Sequence, residues 1–355
     1  MLSRVSQRHK PPPLAHSRSQ DVTEYNESVL IFRFWKDKLM KLLLCGVLVC
    51  LLAIIGGVIA QETPATAEPL QVVTPETATS TIEPLQIVEG QYGTAALYQD
   101  IIPQGRAGLL RVTGADLASI QAVVFDQTPT FFAQGDAAWY AVFAVPITQK
   151  ARAYQIPVTL KTTQRQTETL MLTLTVDNGG FVTQDVLLIG DKAYLASPDI
   201  ETPELAYLFD LAAPITEKRL WDANGFRAPV QGTLTSPFGA VRVFNGTLNT
   251  LHTGWDYQVG VGQPVAATAA GVVAFAGRLD IRGNYVMIDH GYGVYSGYAH
   301  MSVIYVTQGQ PISAGQIIGQ VGTTGRSSSP HAHFEMLVND QWIDPVDFLR
   351  LPLPQ

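Results

Sequence analysis

Histidine and aspartate residues that could hold a metal ion are concentrated near the end of this chain. Five of its seven histidines fall in the stretch that begins at His252 and ends at Glu335. His252 is followed four residues later by Asp256, and His333 belongs to a His-x-His pair. Zn²⁺ binds imidazole nitrogens and carboxylate oxygens, and a catalytic zinc site has three protein ligands and one position for water. The set predicts a zinc centre, whereas any one of these histidines alone would be interpreted as an ordinary core or surface residue.

The alternation of side chains along a strand predicts which of these residues share a face. Residues two apart on a strand point to the same side. We therefore expect His331 and His333 to face one groove, with Ala332 buried behind them. The same rule places Tyr298 and His300 together on one face of their own strand.

The remaining histidines are candidates for proton transfer. His300 and His331 titrate near neutral pH when unperturbed, so they can deprotonate an attacking water and protonate a leaving amine. Glu335, Tyr298 and Arg242 are further candidates to orient a metal ligand or to contact a substrate. For Glu335, a buried ion pair without any part in the chemistry is the open alternative.

These residues lie in motifs that resemble those of the lysostaphin-type (LytM-type) zinc metallopeptidases, which are bacterial peptidoglycan hydrolases. The resemblance covers roughly the last third of the chain, from Thr235 to Leu349. Its motifs are Thr235-Ser236-Pro237-Phe238-Gly239, His252-Thr253-Gly254-Trp255-Asp256, Tyr298-Ala299-His300, Gly322-Thr323-Thr324-Gly325 and Ser329-Pro330-His331-Ala332-His333-Phe334-Glu335. Ala332 departs from the family pattern, which commonly has a larger apolar residue there.

The resemblance implies one zinc ion per chain, held by His252, Asp256 and His333, with His300 and His331 in catalysis. It also implies cleavage of peptide bonds in peptidoglycan stem peptides or cross-bridges. Degenerate members of the family have lost ligands, and the corresponding alternative is a non-hydrolytic cell-wall scaffold or amidase activator. Because all five expected residues are present, an active enzyme is the favoured interpretation.

Composition and charge restrict the partners and the compartment. The formal net charge is -7, with an isoelectric point near 5.5, so a nucleic-acid partner has no electrostatic support. Both cysteines, Cys45 and Cys50, lie in one apolar run, which leaves the rest of the chain free of cysteine. This pattern suits an exported protein without disulfides. Leu44 and Val49 precede the cysteines, and neither is the small residue that a lipoprotein signal requires.

The first 89 residues predict three segments that precede any folded domain. Residues 1–41 carry eight Lys or Arg residues against four acids and are expected to be a disordered cytoplasmic head. Residues 42–60 are uncharged and long enough to span a bilayer, and the basic flank predicts that everything after Ala60 lies outside the cytoplasm. Signal cleavage and secretion after Ala60 is the alternative to a retained single-pass anchor in the cell membrane. Residues 61–89 are rich in Pro, Thr and Glu and predict an extended linker.

The rest of the chain is predicted to be mainly β. Residues 90–187 predict an antiparallel β-sandwich accessory domain, which serves either to position or bind something or as a plain spacer. Residues 188–228 predict a connector that is helical over residues 201–227, and residues 229–355 predict the antiparallel β-sheet metallopeptidase domain. In that domain Gly291–Gly293 predicts a hairpin turn, and His290 is expected in a solvent-facing turn without a role in the chemistry.

Overall fold

The computed structural model describes residues 83–135 and 137–354. The predicted basic head, the membrane segment 42–60 and residues 61–82 of the linker 61–89 lie outside these residues and stay predictions. None of the helices in the described ranges is long and apolar enough to cross a membrane. The mainly-β prediction is confirmed, since strands make up most of the regular structure.

The N-terminal half of the described chain forms two sheets that enclose a common core. The first sheet has five strands in the order β1-β2-β4-β7-β6, and the second has four in the order β3-β9-β8-β5. These strands are β1 (Gln86–Glu89), β2 (Thr94–Leu97), β3 (Ile101–Pro103), β4 (Ala107–Thr113), β5 (Leu117–Ala122), β6 (Phe132–Gln134), β7 (Ala138–Ala144), β8 (Ala153–Thr162) and β9 (Thr167–Asp177). β1 lies inside the stretch predicted as linker. β3 runs parallel to β9, where only antiparallel pairs were expected.

Alternating apolar residues form the core between these two sheets. On β8 the side chains of Ile156, Val158 and Leu160 are buried, while the residues between them are more exposed. This is the period of two expected for a strand with one buried face. β9 follows the same pattern. We call these two sheets the sandwich.

The five-stranded sheet is buried on both of its faces. Leu110 and Phe143 point into the sandwich core. Leu109 and Val142, their neighbours in sequence, belong to a second core that is shared with the C-terminal half of the chain. Strands buried on both sides read as continuous apolar runs rather than alternating ones, as β4 and β7 do. The sandwich and the C-terminal half therefore share apolar packing, within one compact unit.

We expect Leu109→Ala to destabilise the whole unit by about 2–5 kcal/mol, the usual cost of removing a buried leucine side chain. Leu109 is fully buried in the shared core, so calorimetry should show a single transition that shifts to lower temperature. Met171→Ala is the control, because Met171 is 45% exposed on the sandwich and should change stability by less than about 0.5 kcal/mol. Two separate transitions, with only one of them shifted, would contradict the shared core.

An eight-stranded antiparallel sheet dominates the C-terminal half. Its order is β11-β14-β22-β18-β17-β16-β20, with β23 paired to β22. Two small sheets, β10-β12-β13 and β15-β21-β19, flank it, and β10 pairs with β12 in parallel. The strands are β10 (Thr183–Val186), β11 (Thr233–Ser236), β12 (Val241–Phe244), β13 (Leu248–Leu251), β14 (Gly254–Gln258), β15 (Pro264–Ala266), β16 (Gly271–Leu279), β17 (Gly283–Asp289), β18 (Val294–Met301), β19 (Val303–Ile304), β20 (Pro311–Ile312), β21 (Ile317–Gln320), β22 (Ala332–Val338) and β23 (Gln341–Ile343).

The connector between the two halves contains less helix than the sequence predicts. A 3₁₀ helix (Gly190–Leu195) precedes helix α1 (Pro198–Ala212), and residues 213–232 have neither helix nor strand. Ser197 caps α1 by accepting a hydrogen bond from the Asp199 N–H. Pro214, two residues after α1, cannot continue the helical hydrogen-bond ladder, so the prediction of helix over 201–227 is wrong beyond Ala212. A second short helix, α2 (Pro345–Phe348), lies near the end of the chain.

Helix α1 packs against the eight-stranded sheet. Leu208 is fully buried and belongs to a cluster with Tyr285, Met287 and Tyr295. The helix thus covers the face of the sheet on which the histidines of the next section lie.

The hairpin predicted at Gly291–Gly293 is confirmed, since it joins β17 to β18. The prediction for His290, just before it, is wrong. His290 has no exposed surface, donates from Nδ1 to the Ala270 carbonyl (2.8 Å) and contacts Ser296 Oγ through Nε2 (2.7 Å). It is a core histidine with both ring nitrogens satisfied, and burial lowers its pKa to about 4.

Candidate metal centre

Two neighbouring strands and one loop bring His252, Asp256 and His333 together. Asp256 on β14 pairs directly opposite His333 on β22, so their side chains share a face. His252 enters from the loop between β13 and β14. Asp256 Oδ1 lies 2.9 Å from His333 Nδ1 and 3.0 Å from His252 Nε2, and these two nitrogens are 3.0 Å apart. All three residues are at most 6% exposed.

The other nitrogen of each ligand histidine shows where its proton must be. His252 Nδ1 lies 2.7 Å from the Pro237 carbonyl oxygen, and His333 Nε2 lies 3.1 Å from Glu335 Oε2. Both acceptors carry no proton, so each ring donates its N–H there and has its lone pair on the opposite nitrogen.

With both rings neutral, three lone-pair atoms therefore converge at about 3 Å with no proton between them. Such an arrangement is repulsive unless a cation binds between them. Two imidazole nitrogens and one carboxylate oxygen form the ligand set of a catalytic zinc site, and the three residues lie close enough to hold one ion. The residues present fit a zinc ion.

Electrostatics keeps His252 and Asp256 in their metal-binding protonation states. Burial lowers the pKa of His252 to about 4, although the Asp256 carboxylate opposes the shift. Burial alone would raise the pKa of Asp256, but His252, His333 and Arg242 hold it well below its usual range. A neutral imidazole and an ionised carboxylate are the forms that bind metals. At His333 burial lowers the pKa, but the hydrogen bonds and charges of Asp256 and Glu335 outweigh it and raise the pKa, so a metal ion competes with a proton there.

His300 and His331 lie beside this centre. In each ring a backbone carbonyl accepts the Nδ1–H, so the lone pair is on Nε2. His300 Nδ1 donates to the Thr324 carbonyl and His331 Nδ1 to the Ser329 carbonyl, each at 2.8 Å. The two rings are 4.8 Å apart. His331 Nε2 is buried, has no hydrogen-bond partner in the described part of the chain, and lies 3.6 Å from Asp256 Oδ1. Burial lowers the pKa of both rings, so both are neutral and able to accept a proton.

The left-handed backbone conformation of His300, rather than strand alternation, directs its side chain to the site. Ala299 is opposite His333 and Tyr298 is opposite Phe334, so Tyr298 faces away from the metal ligands. His300 has φ +60° at an irregular point of the β17–β18 ladder. That backbone conformation is uncommon for a residue other than glycine.

The predicted place of Tyr298 beside His300 is therefore wrong. Its hydroxyl accepts a hydrogen bond from the Thr268 N–H (2.8 Å) and contacts Ser296 Oγ (2.9 Å). Its ring packs against Phe334 in the shared core.

Arg242 and Glu335 lie against the metal ligands. Arg242 on β12 donates from Nη2 to Asp256 Oδ2 and to Ser236 Oγ, which orients the carboxylate. Glu335 accepts from His333 Nε2 and also forms an ion pair with Arg282. Glu335 therefore has both contacts, the one to a ligand histidine and the buried ion pair, and its part in orienting the ligand stays a prediction.

Arg282 is a residue of this site that no motif in the sequence singles out. It stands alone in Asp280-Ile281-Arg282-Gly283, without a motif or a spacing that points to the histidines. A cation placed directly before a strand as apolar as β17 is the one local signal for a buried partner.

Residues 250–345 match the model of Peptidase family M23, and this range contains the five histidine and aspartate residues described above. Residues 250–345 therefore match the family whose motifs the sequence resembles, which confirms the predicted resemblance over this range. The DD-carboxypeptidase/endopeptidase Mpg of Neisseria meningitidis serogroup B is 45% identical over 140 residues, covering 38% of this chain and 32% of that protein. The peptidoglycan DD-endopeptidase ShyA of Vibrio cholerae is 39% identical over 103 residues, covering 29% of this chain and 23% of that protein.

The chain thus spans about a third or less of the length of these relatives. Among solved structures, a putative peptidase M23 from Pseudomonas aeruginosa is similar with a TM-score of 0.53 and 25% identity. That similarity covers 71% of this chain and 95% of the other, a larger share than residues 250–345 make up. The similar fold therefore extends beyond the M23 domain.

Proposed function

We propose that this chain is an extracytoplasmic zinc metalloendopeptidase that hydrolyses peptide bonds in peptidoglycan stem peptides or cross-bridges. One observation carries the proposal. Three buried lone-pair atoms of His252, Asp256 and His333 converge within about 3 Å, beside the neutral rings of His300 and His331. A metal site flanked by two proton acceptors suits hydrolysis better than a purely structural role.

The chemistry divides between the ion and the two histidines. A zinc ion bound by His252, Asp256 and His333 would polarise the scissile carbonyl and make water a nucleophile at neutral pH. His300 and His331 take the proton of the attacking water on Nε2 and return it to the leaving amine. The Thr324 and Ser329 carbonyls accept the Nδ1–H of these rings, which leaves each Nε2 as the proton acceptor, and Nε2 of His331 lies 3.6 Å from Asp256 Oδ1.

The substrate class is supported by the relatives, two of which are named as enzymes acting on DD bonds or peptidoglycan. The location is supported by the sequence, in which residues 42–60 predict a single-pass membrane anchor with the M23 domain outside the cytoplasm. Protease treatment of intact spheroplasts should then remove the M23 domain while the basic head stays protected. Protection of the M23 domain would overturn this location.

Removing the metal is expected to abolish hydrolysis reversibly. The full-length chain, purified without chelator, should contain about one zinc per chain and release new amino termini from purified peptidoglycan. Treatment with 1,10-phenanthroline should reduce that release by at least about 100-fold, since the ion activates the water, and added Zn²⁺ should restore it.

Mg²⁺ is the matched control, because it prefers octahedral oxygen ligands and should not restore activity. Full hydrolysis by the metal-free chain would contradict the proposed mechanism. The absence of both zinc and hydrolysis would favour the non-hydrolytic scaffold or amidase activator. Stoichiometric zinc without any hydrolysis would indicate a latent enzyme or peptidoglycan of the wrong type.

A further inference from the structure

A carboxylate of the connector helix reaches the turn that precedes β17. Glu204 on α1 accepts hydrogen bonds from two consecutive backbone amides, from Ile281 to Oε2 (2.7 Å) and from Arg282 to Oε1 (3.0 Å). Glu204 is buried, with 7% of its surface exposed. The turn at residues 280–283 is thus held by a residue almost 80 positions earlier in the chain.

The side chain of Arg282 extends this contact to a metal ligand. Its Nη1 donates to Glu204 Oε1 (3.3 Å), and its Nε and Nη2 donate to the two oxygens of Glu335 (2.8 and 3.1 Å). Glu335 in turn accepts the Nε2–H of His333. This last contact sets the proton position that leaves His333 Nδ1 facing Asp256.

The backbone of Arg282 also supports the proton-transfer site. Its carbonyl oxygen accepts the N–H of His300 (2.8 Å), the residue with φ +60°. An uncommon backbone conformation persists only where surrounding contacts hold it in place. Arg282 therefore binds Glu335, the partner of the ligand His333, through its side chain, and the backbone of His300 through its carbonyl oxygen.

We propose that Glu204 is a positioning residue for the metal centre, which acts through Arg282 on His333 and His300. The helix that carries it is then part of the active site and not only a connector. Two carboxylates share one guanidinium in a buried environment, with Glu204 and Arg282 each 6% exposed at the side chain and Glu335 fully buried. Partners of this kind raise the basicity of a ligand histidine and fix its orientation, and their loss typically costs 10–100-fold in metal affinity.

The same helix provides a matched control. Glu201, one turn earlier, forms a bidentate ion pair with Arg326 (2.7 and 3.0 Å) that is also largely buried. The side chain of Arg326 makes no hydrogen bond to a metal ligand within the described residues. Glu201→Gln should therefore weaken the packing of α1 against the sheet, as Glu204→Gln does, but it should not affect His333.

The experiment compares wild type, Glu204→Gln and Glu201→Gln in the full-length chain. Zinc affinity is measured by competition with a chromophoric chelator, and the His333 ring by ¹⁵N NMR of the metal-free chain labelled in histidine. Glu204→Gln should weaken zinc binding by about tenfold or more and shift the His333 nitrogens away from the pure Nε2–H form. Glu201→Gln should lower the melting temperature but leave zinc affinity within about twofold and the His333 signals unchanged.

Equal zinc affinity and identical His333 signals in all three proteins would overturn the proposal. If Glu204→Gln does not fold, Arg282→Lys makes the same test, because lysine keeps the charge and lacks the planar fork that holds both oxygens of Glu335. The inference rests on the proposed zinc site, but the two can fail separately. A wild-type chain that binds no zinc defeats the proposed function, and the metal-free NMR comparison still decides the role of Glu204.

Discussion

Replacing His252 by alanine is expected to remove the bound metal and, with it, all measurable peptide-bond hydrolysis. His252 Nε2 is one of the three atoms that converge on the proposed ion within the described residues, and its loss leaves two of these ligands. Even an indirect partner of a metal ligand is worth 10–100-fold in affinity, so losing a direct ligand should cost more than about 100-fold. Metal content by mass spectrometry and release of amino termini from peptidoglycan measure the two effects.

The control for this substitution is His290→Ala. His290 is also a fully buried histidine, but it contacts the Ala270 carbonyl and Ser296 and none of the ligands. Its removal takes the Nδ1–H donor from the Ala270 carbonyl and one contact from Ser296, which should cost about 1–3 kcal/mol of stability, with zinc retained. A His252→Ala protein that still binds one zinc per chain would show that the three-ligand assignment is wrong.

Replacing His331 by alanine is expected to reduce turnover by about 10²–10⁴-fold, the usual contribution of a general acid or base, while zinc stays bound. The difference from His252 is geometric. His331 Nε2 lies 3.6 Å from Asp256 Oδ1, beside the three converging atoms and not among them. The measurement is kcat on a defined stem-peptide or cross-bridge substrate, together with metal content of the same sample.

The double variant His300→Ala, His331→Ala provides the internal check. Residues that act as one catalytic unit are strongly non-additive, so the double variant should be little worse than the more damaging single one. Full turnover in His331→Ala would remove its assigned role. Loss of zinc in that variant would move His331 among the ligands.

Residue types and short-range spacing predicted most of the metal centre. His252, Asp256 and His333 were recognisable because few chemistries require two histidines and an aspartate among closely spaced glycines. The His-x-His spacing also placed His331 correctly beside His333, because both lie where β22 begins and strand alternation holds there. The hairpin at Gly291–Gly293 followed from local turn chemistry in the same way.

The incorrect predictions arise where a local rule was applied across an irregular position. Strand alternation predicted Tyr298 and His300 on the same face. The left-handed backbone conformation of His300 breaks this alternation after Ala299, so the two side chains lie on different faces. His290 was placed in solvent because it precedes a turn, whereas packing against Phe226 and the core buries it. Neither outcome can be read from a window of a few residues, since both depend on what packs against the strand.

The sequence by itself predicted the predominance of β structure and the five histidine and aspartate residues that converge, because both predictions depend on residue type and on short motifs. Only the tertiary structure decided that the five-stranded sheet shares a core with the M23 domain. It also decided that Glu204, Arg282 and Glu335 form one buried chain of contacts to His333. The contacts of Arg282 with Glu204 and with Glu335 join residues about 50 to 80 positions apart. A buried charge pairs with whichever group the fold brings next to it, and the spacing of residues along the chain does not predict that partner.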